Sequence, residues 1–417
     1  MSGRAKLHYH TDCDFFAGCE NMVANFLNDQ RVYERYEVSF SYRKSERYEL
    51  GLKNRVNNPA LGECYPILAG NILTKLFVKM PKPIRMIVLA LNYLLLLRYL
   101  VLLWNILALY VAWKPRAIDL LHINNGGYPA QSSCLAAAIA GRLVGIKSVV
   151  MVVNNIADLN QCRRWWLERP LDFIVARSVT MFVTGSKAAN YALQMVLRLP
   201  SDKLTTLPNG IQGRKTNESK LETRKRLGLR ETDFVFGVVA LLEWRKGHGV
   251  LLNAMGSLVK NMGVDNMPML LIEGEGAELL ALQNQAMQLG IEKWVRFIGV
   301  ERNVFDFMLA IDVMVFPSVA NEDFPNVVLE AMSLGKPVIA SRIAGTVEQI
   351  DDGITGWLVE SNDVSALAFK MEAVVSNRAE IEFIGVNARV KFDKNFAAEA
   401  AVSNYLDLYE MLNRRAS

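Results

Sequence analysis

Short apolar runs alternate with amphipathic stretches along most of the chain, and this pattern limits the possible folds more than any other feature. Lys6–His10, Glu37–Tyr42, Ile118–Ile123, Ser148–Val153 and Thr180–Thr184 have strand length, and the stretches around Glu20–Asn28, Ala130–Val144 and Lys187–Leu197 have helical spacing. A second series follows: Asp233–Ala240, Pro268–Glu273, Trp294–Ile298, Val313–Phe316, Pro337–Ala340 and Trp357–Val359. Strands that alternate with helices form parallel sheets covered on both faces. The turn-rich stretch from Pro208-Asn209-Gly210 to Ser219 separates the two series and reads as a linker. The expectation is two doubly wound α/β domains facing each other across a cleft, with ligands beyond the carboxyl ends of the strands.

Composition narrows the compartment and the chemistry. The 417 residues are 51% hydrophobic and 21% charged, which excludes a wholly disordered chain. Cys13, Cys19, Cys64, Cys134 and Cys162 are odd in number and lack CxxC spacing, so a reducing compartment fits better than a disulfide framework. With only His8, His10, His122 and His248, no HExxH-type cluster can be written and no metal is expected. The start, MSGRAKLHYHTDCDFF, has no apolar core of the kind a secretory signal carries.

The net charge of +5 hides an asymmetry. Residues 1–207 hold 25 basic and 14 acidic side chains, a balance of +11, while residues 208–417 hold 22 and 28, a balance of −6. In the first half lies an apolar segment, Met86–Trp113, whose one charge is Arg98. As a helix it would be about 42 Å long, against a hydrocarbon core of about 30 Å. Lys75, Lys79, Lys82 and Arg85 precede it, Lys114 and Arg116 follow it, and Tyr93, Tyr99, Trp104, Tyr110 and Trp113 are interspersed. A simple span would put strands of one sheet on opposite sides of a bilayer. An interfacial helix, a re-entrant pair and a core helix remain open, with an anionic membrane surface as the expected partner. Nucleic acid is the poorer partner, because the cations flank an apolar run rather than interleave with stacking residues.

Four loops of the second series share one setting, between a strand and a helix. Glu243-Trp244-Arg245-Lys246-Gly247-His248-Gly249 offers two cations beside a glycine, suited to a diphosphate, although a solvated basic loop has the same composition. Glu273-Gly274-Glu275-Gly276 is a tight turn, which glycine would serve with or without a ligand. Pro317-Ser318 through Glu322-Asp323-Phe324-Pro325-Asn326-Val327 opens a helix that carries Glu330; carboxylates there could accept hydrogen bonds from sugar or ribose hydroxyls. Ala344-Gly345-Thr346-Val347-Glu348-Gln349 is another glycine turn, opening a helix.

In this order the loops resemble the retaining, GT-B-fold glycosyltransferases of family 4. The match runs through Arg245-Lys246-Gly247, Gly274-Glu275-Gly276, Pro317-Ser318, Glu322 and Glu330 with seven residues between, Gly335-Lys336-Pro337-Val338, Gly345…Glu348 and Gly353…Gly356-Trp357-Leu358-Val359. Weaker agreement covers Phe16-Ala17-Gly18-Cys19-Glu20, Asp119-Leu120-Leu121-His122, Thr184-Gly185-Ser186 and Leu207-Pro208-Asn209-Gly210. The resemblance implies that Arg245 and Lys246 neutralise the donor diphosphate, with Glu330 on the ribose. Glu322, with the amides of Phe324, Asn326 and Val327, would hold the sugar and pyrophosphate. Gly18 and Gly274 would let backbone approach the donor. Asn124 and Asn154 stand where the family often has His, Leu241 or Ala240 replaces a second phosphate-binding Arg, and Asp323 replaces a usual Gly.

The implied function is transfer of a hexose from a nucleotide diphosphate sugar to a lipid-linked or cell-envelope saccharide, without metal or cofactor, at the cytoplasmic face of the inner membrane. The alternative is a catalytically silent nucleotide-sugar-binding partner of a synthase complex. The implied layout is an acceptor-side domain over 1–207 with an apolar insertion near 84–113, a donor domain over 208–390, and a returning C-terminal helix over 391–417.

Overall fold

The computed structural model describes residues 4–16, 18–69, 81, 83–84, 86–87, 97–129, 131–157, 165–263, 267–320 and 322–416. Two units divide the chain: residues 1–208 with 401–417, and residues 209–400.

The first unit is built on a parallel sheet of seven strands among the described residues: β1 (Ala5–Thr11), β2 (Tyr36–Arg43), β3 (Gly62–Tyr65), β4 (Leu120–Asn125), β5 (Ser148–Val153), β6 (Met181–Thr184) and β7 (Leu204–Thr206). They lie in the order β3-β2-β1-β4-β5-β6-β7, so the winding reverses between β1 and β4. β4 and β5 are buried at every residue, as strands covered on both faces must be. The edge strands β3 and β7 escape the sequence reading because each is short and has only one neighbour to pack against.

One face of this sheet packs on the helices Glu20–Asn28 and Ala398–Ala416, where Leu7, Tyr9, Phe26, Tyr405 and Tyr409 form a core. His122 of β4 faces the same helices; its Nδ1 lies 2.6 Å from the Tyr409 hydroxyl. The other face packs on Ser132–Leu143 and Leu97–Trp113. Leu102, Asn105, Leu109 and Trp113 of the latter helix are buried. Asn105 is buried although it is polar. Its amide exchanges two hydrogen bonds with the Leu68 backbone, accepting at 2.8 Å and donating at 2.9 Å. The opposite side leaves Leu100, Leu103, Trp104, Leu107 and Val111 exposed. Among the described residues no helix is long and apolar enough to cross a membrane. Tyr93 and much of the basic stretch before it lie outside the described residues.

The second unit holds β8 (Val235–Val239), β9 (Met269–Glu273), β10 (Val295–Gly299), β11 (Val313–Phe316), β12 (Val338–Ser341) and β13 (Trp357–Val359), in the order β10-β9-β8-β11-β12-β13. Here the winding reverses between β8 and β11. Helix His248–Met262 covers one face through Leu251, Leu252, Met255 and Leu258. Helix Ala379–Asn395 contributes Ile384, Ala388 and Phe392 to this core. Residues 391–400 therefore belong with the second unit, and the segment grouped with the first begins at Ala401 rather than 391. The break between helices is pinned by backbone bonds of 3.0 Å from Ile211 to Phe396 and from Ala398 to Ile211.

Burial pushes His10 and His122 down to about 3. In the unfolded chain each would titrate near 6.5. The unfolded state thus binds their protons first, so stability is whole above about pH 6.5 and falls as pH drops toward the folded values. Each histidine accounts for about 2 kcal/mol at pH 5. Melting temperatures measured from about pH 7.5 to about pH 4.5 should fall, and less steeply in His122→Gln; a flat profile would contradict this assignment.

Candidate functional site

In a doubly wound sheet, the two loops at the winding reversal splay apart and leave a crevice beyond the carboxyl ends of the strands. In the second unit those loops follow β8 and β11. The first carries Arg245 and Lys246 on a single 3-10 turn, Trp244–Lys246, and the second carries Glu322.

Backbone geometry docks one loop on the other. Gly247 adopts φ +72°, and a Cβ there would lie 1.9 Å from the Pro317 carbonyl oxygen. The Val319 amide donates to the Arg245 carbonyl at 2.8 Å. With the loops fixed in this way, the Arg245 guanidinium donates to Glu322 Oε1 at 3.1 Å, and the Lys246 ammonium bonds the same oxygen. The Ser318 hydroxyl donates to it at 3.3 Å, a partner the sequence reading did not assign. Glu322 is 8% exposed. Arg245 also reaches Glu243 at 2.9 Å, but that carboxylate is half-exposed and screened by water. Two adjacent cations, one of them about a third exposed, thus converge on one buried carboxylate oxygen. Paired cations held side by side at the switch point are an arrangement that can accept a phosphate anion.

The remaining predicted residues divide into distinct groups. Phe324 is buried and packs edge-on against Phe396, with ring centroids 5.7 Å apart, so its side chain is core and only its backbone could serve a ligand. Asn326 and Val327 open the helix Asn326–Ser333, whose first amides have no carbonyl within the helix to pair with. Glu330 lies in the second turn of that helix, half-buried, and its carbonyl accepts from Ser333 Oγ at 2.7 Å. Asp323 is buried beside Glu322. Gln349, also buried, donates to the Pro325 carbonyl at 3.0 Å and steadies the start of the helix; the sequence places it in the fourth loop without a role.

Gly274 has a local reason for being glycine. At φ +138° a Cβ would lie 1.9 Å from the Ala240 carbonyl oxygen, and at Gly276 one would lie 2.4 Å from that of Leu242. The loop after β9 therefore lies flush against the loop after β8. This packing accounts for both glycines without a ligand, and Gly274 has its place as the support of the Arg245–Lys246 loop.

In the first unit, Gly18, Asn124 and Asn154 lie at or beyond the carboxyl ends of β1, β4 and β5. Gly18 is exposed, and its carbonyl accepts from the Asn21 amide at 3.2 Å. Asn124 donates to Glu20 Oε1 at 2.9 Å and accepts from Asn154 Nδ2 at 2.8 Å. Glu20, fully buried, also accepts from the Thr11 hydroxyl and the Tyr48 hydroxyl, each at 2.7 Å. Burial raises its carboxyl above the usual range against the pull of those donors. The two amides are therefore held by an internal acid that sequence reasoning gave no role. The Phe16–Glu20 motif contained it, but its partners are distant in sequence.

Because Gly247 sits under the Pro317 carbonyl with a left-handed backbone, Gly247→Ala should lower unfolding stability by about 1–3 kcal/mol. Denaturant unfolding checks this, and an unchanged midpoint would show that the loops are not docked as described.

Residues 219–395 match the family model described as glycosyl transferases group 1. A UDP-Gal:alpha-D-GlcNAc-diphosphoundecaprenol alpha-1,3-galactosyltransferase of Escherichia coli is 25% identical over 316 residues, 73% of this chain and 78% of that protein. An N-acetyl-alpha-D-glucosaminyl L-malate synthase of Bacillus anthracis is 26% identical over 300 residues, 70% of this chain and 74% of that one. Among solved structures, Anabaena HepE in complex with UDP aligns with a TM-score of 0.76 at 17% identity, over 97% of this chain and 100% of that one. The fold is GT-B. With the match centred on the unit that joins Arg245, Lys246 and Glu322, the chain takes its place beside the group 1 glycosyltransferases that it resembles.

Proposed function

We propose that this chain is a retaining hexosyltransferase that uses a nucleotide diphosphate sugar as donor and a lipid-linked or cell-envelope saccharide as acceptor. The observation that carries this reading is the convergence of Arg245 and Lys246 on Glu322 at the winding reversal of the second sheet. As the glycosidic bond breaks, negative charge grows on the leaving diphosphate. Cations already fixed beside it stabilise that charge more in the transition state than in the ground state. A diphosphate arriving there would compete with Glu322 for both cations and free its carboxylate to accept a hydrogen bond from a sugar hydroxyl. Glu330 would take the ribose hydroxyls. The leaving phosphate itself would draw the proton from the acceptor, on the same face that the acceptor attacks. The cations would take the part a metal plays in other phosphate-leaving reactions, so the transfer would need no metal or cofactor. Lipid-linked acceptance has support from the Escherichia coli relative, whose named acceptor is a diphosphoundecaprenol-linked sugar.

A second reading, a silent binding partner, is favoured by one observation. Asn124 and Asn154 already spend amide hydrogens on Glu20, Asn124 and the Asn125 carbonyl, and neither can carry a proton. Turnover separates the two. With an active donor and acceptor pair, Lys246→Ala and Arg245→Ala should each lower kcat/KM by about 10²–10³-fold, a loss of about 3–4 kcal/mol of transition-state stabilisation. Product retaining the donor's anomeric configuration is expected by proton NMR. Saturable donor binding with neither transfer nor donor hydrolysis would favour the silent partner.

The helix Leu97–Trp113 supports placement at a membrane surface. Leu100, Leu103, Leu107 and Val111 recur at near-helical spacing on its exposed side, and Lys114 closes it. Such a face suits a helix lying in the interface of an anionic leaflet, and we place it at the cytoplasmic face of the inner membrane. Co-sedimentation with anionic vesicles should exceed that with neutral ones. It should drop at least about tenfold in Leu103→Glu/Leu107→Glu, since each buried leucine contributes about 1.5–3 kcal/mol. Equal sedimentation of both proteins would refute it.

A further inference from the structure

The carboxyl edge of the first sheet holds a second cluster that the reaction does not use. Cys13 follows β1, and Cys19 and Glu20 begin the next helix. Cys13 Sγ, Cys19 Sγ and a Glu20 carboxylate oxygen all lie within 4.8 Å of one another, and Cys19 Sγ is 3.9 Å from Glu20 Oε1. A tetrahedral zinc ion has metal–sulfur bonds of about 2.3 Å and metal–oxygen bonds of about 2.0–2.2 Å. Those lengths set sulfur–sulfur edges of about 3.8 Å and sulfur–oxygen edges of about 3.6 Å. The Cys19–Glu20 edge, at 3.9 Å, is close to that size, and no edge exceeds 4.8 Å, so the side chains would draw together to close on an ion.

We propose that Cys13, Cys19 and Glu20 form a binding site for a soft divalent cation of the zinc class, with the fourth position open to water or another ligand. The surroundings fit such a site. Glu20 is steadied by the Thr11 and Tyr48 hydroxyls and by Asn124, which is how outer-shell groups orient a metal-binding carboxylate. Both cysteines are partly accessible and free, so an ion can enter. The thiol of Cys19 already directs its hydrogen at Glu20 Oε1, and the ion would replace that proton between the two atoms. On binding, the two S–H bonds give up their protons to solvent and two sulfur–metal bonds form, with no change in oxidation state. Because both thiols must lose their protons to bind, affinity for the ion falls as pH drops. A bound ion would staple residue 13 to residue 19 across the loop that contains Gly18. The sequence pattern hid this site because five residues separate the cysteines and the third ligand is a carboxylate.

Cobalt(II) reports directly on such a site, because tetrahedral thiolate coordination gives intense visible bands that octahedral coordination lacks. Titrating the reduced full chain with cobalt(II) should give the tetrahedral spectrum, saturating at one equivalent and bleached by zinc(II). Cys13→Ser and Cys19→Ser should each weaken binding by at least about tenfold, whereas Cys64→Ser, at an exposed cysteine outside the cluster, should leave it unchanged. Unchanged circular dichroism of the two serine variants would show that they fold. Zinc(II) should also raise the melting temperature of the wild-type chain and not that of Cys13→Ser/Cys19→Ser. An octahedral spectrum, no saturation at one equivalent, or a tetrahedral spectrum that survives both serine substitutions would overturn the proposal.

Discussion

The contact on which the second unit's chemistry depends is made of backbone. The loop after β8 rests against the Pro317 carbonyl through a glycine with no side chain to interpose, and the Val319 amide ties it down. Only with that contact in place do two cations from one loop meet a carboxylate from another. The cluster would be expensive if it formed only to be buried, because bringing charges out of water costs several kcal/mol per ion. Its position at a winding reversal gives it a use, since that is where a doubly wound sheet opens to a ligand.

The first sheet has the same kind of reversal, between β1 and β4, with different chemistry. An acid, two amides and two thiols take the place of a cationic pair. Glu20 organises them, and its carboxylate joins residues from β1, β4 and the helix Tyr48 belongs to. The two units thus place different tools at equivalent points of a shared architecture: a charge clamp on one, a hydrogen-bonded polar cluster on the other. This runs opposite to the charge balance of the two halves, since the cationic pair lies in the half with the negative balance and the buried acid in the half with the positive one.

Much of the fold was legible because parallel strands buried on both faces must be continuous apolar runs. The six strands of the second sheet coincide with its six runs to within a few residues. What escaped was set by partners distant in sequence. β3 and β7 exist because a neighbouring strand is there to pair with, and their own residues carry little pattern. Asn105 interrupts an apolar run for no local reason until the Leu68 backbone appears beside it. The C-terminal boundary moved for a related reason, since Phe392 and Phe396 look like any amphipathic helix residues until the second core accepts them. At the site, Arg245, Lys246, Glu322 and the start of the Asn326–Ser333 helix could be picked out by residue type and setting. The roles of Gln349 and Glu20 could not, because each acts through hydrogen bonds to residues distant in sequence; Ser318 lies only four residues from Glu322, but nothing in residue type alone turns its hydroxyl toward that carboxylate. Gly274 was legible as a glycine but not as a packing glycine, which depends on where the Ala240 carbonyl lies.

The central claim is that the Arg245–Lys246 pair is the seat of a diphosphate. A crystal structure of the chain with a bound nucleoside diphosphate tests it most directly. The account predicts both phosphates within hydrogen-bond distance of the guanidinium and the ammonium, with Glu322 released from at least one of them. A nucleotide held elsewhere, with Glu322 still clasped by both cations, would contradict it.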